Sequence, residues 1–159
     1  MLYRILHTSS RYVILIRLMV GSVFLSEGMQ KFLFPAMRGA GRFAKMGFPS
    51  PGFFASFVGV FEIVCGFLIL IGLITRLGAI AMLINISVAI IVTKIPIGLG
   101  ESFGPFILRD LKTYGFWSMA HEIRTDFCMW LGAVFLIIKG GGRWSLDYEI
   151  LKLLDKKKL

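Results

Sequence analysis

Four long apolar runs, separated by clusters of glycine, proline and charge, dominate the chain. They extend from about Tyr12 to Phe34, Phe53 to Leu73, Leu77 to Thr93 and Ile123 to Ile138. Each run is continuous and shows no period-two alternation, so the pattern predicts helices and argues against strands. Each approaches the ~20 residues that a helix needs to cross the hydrocarbon core of a bilayer. Pro35 closes the first run, Pro49, Ser50, Pro51 and Gly52 precede the second, and Gly140, Gly141 and Gly142 follow the fourth, all breakers expected at helix ends. The fourth run is short and is expected to borrow a turn from His121 and Glu122. Arg4 and Arg11 ahead of the first run would also suit a signal peptide, but the run is long for that and no small-residue cleavage site follows it.

Composition points the same way. Of 159 residues, 57% are hydrophobic and 17% charged, and the mean hydropathy is +0.79; a soluble domain carries roughly a quarter charged residues. A soluble fold of this length could not bury all four runs. The expectation is therefore an all-α integral membrane protein, a single domain over residues 1–159 built as an up-down four-helix transmembrane bundle. The net charge of +9 comes from Lys and Arg between the runs and from the tail Lys152, Lys156, Lys157 and Lys158. Anionic lipid headgroups account for that distribution, and with no groove-reading motif nucleic acid is excluded as a partner. With both termini cytoplasmic, Arg4, Arg11, Arg76, Lys139, Arg143 and the tail lysines lie inside. Arg38, Arg42, Lys45, Lys94, Arg109, Lys112 and Arg124 then lie outside. The bias favours that orientation in a cell inner membrane.

The connection between the third and fourth runs is long enough to need a purpose. Pro105 can open a short helix that Gly115 stops, with Ile107, Leu111 and Tyr114 on one face. Phe103, Phe106, Phe116 and Trp117 supply the rings expected at headgroup depth. This predicts an interfacial helix capping the outer end. After the triple glycine, Ser145 can cap an amphipathic segment over residues 145–155, with Asp147 in its first turn and lysines facing the inner leaflet.

The informative residues are those that cost energy where they stand. Arg17, Glu27, Lys31, Glu62, Asn85 and Asp126 fall within or at the ends of apolar runs. A charge at the bilayer centre costs ~2.5 to 3.5 kcal/mol even on the lenient insertion scale, so such groups must face the interior, pair or meet water. Arg17, Gly21, Phe24, Gly28 and Lys31 form one stripe along the first helix. Ala55, Gly59, Glu62 and Gly66 do the same on the second, and Gly78, Met82, Asn85 and Ala89 on the third. Gly21, Gly28, Gly59 and Gly66, with Arg17, are assigned to packing, because small residues permit close helix contact. Glu27 stands four residues before Lys31, which predicts an ion pair. At 1.5 Å per residue, Glu27 lies roughly 10 Å inside the Phe34 end, Glu62 roughly 13 Å inside the Phe53 end, and Asp126 roughly 6 Å below Glu122.

The carboxylates thus converge in the outer half, where they outnumber the nearby Lys31. Two readings follow: buried ion pairs that lock the packing, or a polar pocket that holds a head group or relays protons. The candidate pocket residues are Glu27, Lys31, Glu62, Asn85, His121, Glu122 and Asp126. Cys65 and Cys128 sit at different depths, which predicts two inert buried thiols and no disulfide. His121 beside Glu122 is weak spacing for a metal, and none is expected. His7 and His121 lie at opposite ends and cannot bracket a haem. Gly98, Gly100 and Gly104 follow no strand and make no nucleotide loop.

The segments Arg17-Leu18-Met19-Val20-Gly21 and Glu27-Gly28-Met29-Gln30-Lys31-Phe32 resemble the first helix of DoxX/DoxD-like proteins. Met46-Gly47-Phe48-Pro49 with Pro51, Glu62-Ile63-Val64-Cys65-Gly66, Gly72-Leu73-Ile74-Thr75-Arg76 and the closing Gly142-Arg143-Trp144-Ser145-Leu146-Asp147 resemble the same family. The resemblance implies a four-helix inner-membrane protein. The wider group includes a subunit linked with thiosulfate and quinone oxidation, proteins associated with oxidative-stress complexes, and proteins that assist maturation or trafficking of others. It implies a membrane component of a quinone-linked or oxidative-stress-related oxidoreductase system, or alternatively a non-enzymatic assembly or scaffold subunit. The chain has no paired thiol, bis-histidine or flavin motif, so no intrinsic cofactor is expected. Electron transfer would need a quinone or lipid-like ligand in the pocket, or redox partner subunits. A homo-oligomer is compatible with either reading, and four spans without inverted repeats make a weak permease.

Overall fold

A computed structural model describes residues 10–156. Among the described residues there are seven helices: α1 (Val13–Leu33), α2 (Ala40–Lys45), α3 (Pro51–Ile71), α4 (Thr75–Thr93), α5 (Ile95–Leu99), α6 (Phe116–Lys139) and α7 (Leu146–Lys156). No strand occurs among them beyond an isolated bridge between Phe103 and Phe106. Three segments are long and apolar enough to cross a membrane: α1, α3, and α4 continued through α5 to Leu99. Helix α6, at 24 residues, is longer than α1 and α3, but its first half carries His121, Glu122, Arg124 and Asp126.

The four long helices pack as a ring. Helix α1 lies most extensively against α3, α4 lies against α6, and smaller α3–α4 and α1–α6 contacts close the circuit. Val20, Phe24, Ile69, Met82, Met129 and Leu136 fill the centre. The α1–α3 approach is close because glycines face each other. A Cβ on Gly28 would lie 2.7 Å from the Gly59 carbonyl oxygen, and one on Gly66 would lie 2.7 Å from the Leu25 nitrogen. The three-residue link from Ile71 to Thr75 turns the chain back on itself, with Gly72 in the left-handed region at φ +72°.

One buried cation ties this end of the ring together. The Arg17 guanidinium donates to the carbonyl oxygens of Ile69 (2.9 Å) and Leu70 (2.5 Å) at the C-terminus of α3. It also donates to those of Gly141 (3.2 Å) and Trp144 (2.5 Å) in the segment after α6. The last carbonyls of a helix have no intrahelical donor and carry partial negative charge, so a buried guanidinium suits them. Gly72 leaves room for it, since a Cβ there would lie 2.6 Å from the guanidinium carbon. Ser145 caps α7, its hydroxyl oxygen accepting from the Tyr148 N–H at 3.2 Å. Asp147 serves a different helix: its carboxylate accepts from the backbone N–H groups of Ile74 (2.7 Å) and Thr75 (2.9 Å) and from the Thr75 hydroxyl (2.8 Å), so it caps α4.

Three expectations need correction. Residues 105–115 are not a helix, and the short helix between the third and fourth long helices is Ile95–Leu99. The reason lies in where the backbone donors go. Ile107 N–H donates to the Met46 carbonyl (3.1 Å), Leu108 N–H to the Ser102 hydroxyl (3.1 Å), and Leu111 N–H to the Tyr114 hydroxyl (3.1 Å). Those bonds make a strap that crosses the ring's end. Second, α6 starts at Phe116, about two turns before the apolar run, because its polar first half still packs against α4 and α5. Third, α2 was not expected; of its six residues only Phe43 is buried, too little for a periodic signal.

The glycine contacts make a graded test of this packing. A Cβ at Gly66 meets the backbone of Leu25 and Gly21, whereas one at Gly59 first meets the far edge of the Phe32 ring, which can swing away. Gly66→Ala is expected to lower the melting temperature in detergent, by overpacking of ~1 to 3 kcal/mol, more than Gly59→Ala does. Gly52→Ala, with nothing within 4 Å of its new methyl, serves as the control. Equal melting of all three variants would contradict the helix-face assignment.

Candidate functional site

Three helices converge on one carboxylate. Glu62, on the glycine-lined face of α3, receives the Lys31 ammonium of α1 on Oε2 and the Asn85 amide of α4 on Oε1 at 2.9 Å. The Lys31 and Glu62 side chains are 11% and 8% exposed, so the pair is largely shielded but still reachable at its edge. Lys31 also reaches the Glu27 backbone carbonyl at 3.4 Å. The glycines that let α1 and α3 approach bring these two long side chains within reach of each other across the interface.

The expected ion pair between the Glu27 and Lys31 side chains does not form. A pair at that spacing lies on the surface of a single helix, whereas Lys31 turns inward to a carboxylate that offers a buried partner. The Glu27 carboxylate, 39% exposed, turns instead toward Arg38 at 3.9 Å.

A second cluster forms where α4 ends. Lys94, its C-cap residue, is 12% exposed and sits 3.2 Å from Asp126 and 3.9 Å from Glu122 of α6. Arg109, from the strap, lies 3.1 Å from Glu122. The expected surplus of carboxylates is therefore not found. Glu62 has Lys31, Glu27 has Arg38, and Glu122 and Asp126 have Lys94 and Arg109. Four carboxylates meet four cations, which removes the argument for a proton shared between them.

The structure brings Lys31, Glu62 and Asn85 together, and separately Glu122 and Asp126. His121 stands apart: it is exposed, and its backbone carbonyl accepts from the Arg124 guanidinium. Among the described residues no three His, Cys, Asp or Glu side chains are grouped to hold a metal. Cys65 is buried in the core, but Cys128 is exposed, so the two thiols are not both buried as expected. Their lack of a disulfide agrees with their different depths. The outward placement of Cys128 follows from its neighbours: Met129, Gly132 and Ala133 take the packed face of α6.

Sequence reading missed Lys94, Arg38 and Arg109 as partners. Lys94 carried a signal, standing directly after an apolar run on the same side as Glu122. Arg38 and Arg109 carried none, because both lie in irregular chain whose path no periodicity reports.

A double-mutant cycle measures how the Lys31–Glu62 pair is held. Breaking a buried pair leaves one uncompensated charge and costs ~3 to 5 kcal/mol, while replacing both partners by apolar groups is near neutral. Lys31→Met and Glu62→Leu are each expected to lower the melting temperature in detergent, and the double variant to recover most of the loss. Losses that simply add would show that the two charges do not interact.

The DoxX family profile matches residues 12–95, which hold Arg17, Lys31, Glu62, Asn85 and Lys94. Uncharacterized membrane protein Rv3486 of Mycobacterium tuberculosis is 49% identical over 150 residues, 94% of this chain and 88% of that protein. No solved structure is a significant match.

Proposed function

The chain belongs to the DoxX family of membrane proteins, and from that premise we propose that it is a membrane component of a quinone-linked oxidoreductase system. In this reading it holds the head of a quinone or lipid-like ligand beside Lys31 and Glu62. The observation that carries the proposal is a lysine and a glutamate largely shielded between helices that are apolar enough to span a bilayer. A buried ion pair adds little stability over apolar residues of similar size, and an ionisable group at membrane depth is a functional group by default. The ammonium group has three N–H donors. Glu62 and the Glu27 carbonyl engage it, which leaves donor capacity for the carbonyl oxygen of a ring. Glu62 is placed to accept from a ring hydroxyl. Redox chemistry itself would belong to the quinone and to partner subunits.

The same reading makes α6 the fourth span of an up-down bundle and places the protein in the inner membrane. In this reading the Gly72 end, with Arg76, Lys139, Arg143 and Lys152, faces the cytoplasm, the lysine and arginine bias being carried by the tail Lys156, Lys157 and Lys158. Helix α7 then lies along the inner leaflet, with Ile150, Leu153 and Leu154 outward from the protein and available to lipid.

A second reading, a scaffold subunit for a partner complex, is favoured by one feature. Phe53, Phe57 and Phe61 stack along α3 with centroids 6.2 and 5.9 Å apart, beside the exposed Val60 and Val64. They make an apolar ridge that suits a neighbouring transmembrane helix, from a partner or a second copy.

The deciding experiment purifies the protein in mild detergent, assays bound quinone, and repeats the assay on Glu62→Gln. Gln keeps the size and the hydrogen bond to Asn85 but not the charge. The proposal expects quinone with the wild type and at least about a tenfold weaker affinity in the variant, the equivalent of one lost charge-assisted contact. A stable variant that binds quinone unchanged would falsify the role of Glu62. Partner subunits without quinone would establish the scaffold reading.

A further inference from the structure

We propose a second site, independent of the Lys31–Glu62 pair: a cationic cleft at the Phe34 end that binds a phosphate group, seated between Arg42 and Lys45 of α2. The cleft has a volume of about 630 Å³ and lies between α2 with the loop before it, the end of α4 with α5, and the strap. Arg38, Arg42, Lys45, Lys94 and Arg109 line it, against the single carboxylate of Asp110. These cations come from three separate stretches of chain and face one space.

Charge accounting selects the two that matter. Lys94 and Arg109 are engaged by Glu122 and Asp126, and Arg38 lies near Glu27. Arg42 and Lys45 have no ion pair among the described residues, while Arg42 is half-buried and both line the cleft. An anion placed between them gains two cationic partners without breaking an existing pair. The guanidinium presents a planar fork of donors that matches phosphate oxygens, and the lysine adds a point charge.

The cleft is also held in shape. The strap forms its edge through the Ile107 N–H bond to Met46 (3.1 Å). Gly47, at φ +80°, lets the strap in, since a Cβ there would lie 2.6 Å from the Pro105 carbonyl oxygen. Phe48 packs against Phe43, Phe54 and Phe106 with centroids 5.0, 5.6 and 4.8 Å away, which fixes α2 to the strap. Arg42 and Lys45 are thus carried on a segment already anchored, and little ordering is lost on binding. Apolar walls from Met37, Met46 and Ile107 lie beside the cations. A phosphate carried on an apolar chain fits that combination better than a free ion. The position at the ends of α1, α3 and α4 is where headgroups would lie.

The test uses the full chain, stripped of lipid in mild detergent, with three probes: phosphatidylglycerol, phosphatidylcholine, and inorganic phosphate at constant ionic strength. Binding is read by native mass spectrometry for lipids and by thermal shift for all three. Arg42→Gln and Lys45→Gln are the variants, and Arg143→Gln at the opposite end is the control. Neither varied side chain makes an ion pair, so both variants should melt within a few degrees of the parent. The proposal expects phosphatidylglycerol to bind, and each variant to weaken it about tenfold, the equivalent of one charge-assisted contact, with Arg143→Gln unchanged. The same dependence with inorganic phosphate identifies a soluble source of the phosphate; dependence with the phospholipids alone identifies a lipid headgroup. Binding that ignores Arg42 and Lys45, or that falls equally in Arg143→Gln, overturns the site.

Discussion

A guanidinium 2% exposed, held between the carbonyl ends of two chain segments far apart in sequence, is the constraint from which much of this structure follows. Arg17 can be buried only because four carbonyl oxygens meet it, and two of those belong to the terminus of α3, where partial negative charge collects. Meeting the other two requires that the chain after α6 fold back over the Gly72 turn. That turn must be free of side chain, since the guanidinium occupies the space beside it. Once the returning segment is in place, Asp147 reaches the first donors of α4, which have no intrahelical acceptor. Burial of one cation therefore fixes the relative positions of α1, α3, α4 and α7.

Charge at the other end is handled differently. There the ring keeps its cations and carboxylates in pairs, one set shielded between helices and one at the mouth. The shielded set, Lys31 with Glu62, stands where α1 and α3 are brought together by glycine, and that close backbone approach lets the pair form. The mouth set, Lys94 with Glu122 and Asp126, depends on the strap and on the early start of α6. Arg42 and Lys45 are outside both sets, lining the open cleft without an ion pair among the described residues.

Much of the helical layout was legible because long apolar runs carry their own signal. The faces of those helices were legible as well: Arg17, Gly21, Phe24 and Gly28 are buried together, as are Ala55, Gly59, Glu62 and Gly66. Pairing was less so. Spacing suggested Glu27 for Lys31, because partners three or four residues apart are the ones that a single helix can show. The choice of Glu62 instead is made by packing between helices, to which spacing within a helix is blind. The strap was misread as a helix because Pro105 and Gly115 are suitable end signals, yet its donors are taken by Met46, Ser102 and Tyr114. Met46 lies far outside the window in which a periodic pattern can be seen, and bonds to the Ser102 and Tyr114 hydroxyls leave no mark on hydrophobic periodicity. Asp147 stands in the first turn of α7 as expected, and its carboxylate also caps α4, a contact between helices that spacing along one helix does not show.

Hydrogen–deuterium exchange on Arg17→Lys tests the central claim most directly. Lysine keeps the positive charge but offers its donors from a single point, and so cannot reach carbonyls on both α3 and the segment after α6. The predicted result is faster exchange over residues 140–148 and at the first turn of α4, with the α1–α3 contact around Gly28 and Gly59 still protected. Exchange in the variant indistinguishable from the parent over those residues would contradict the account, because the returning segment would then be held by something other than Arg17.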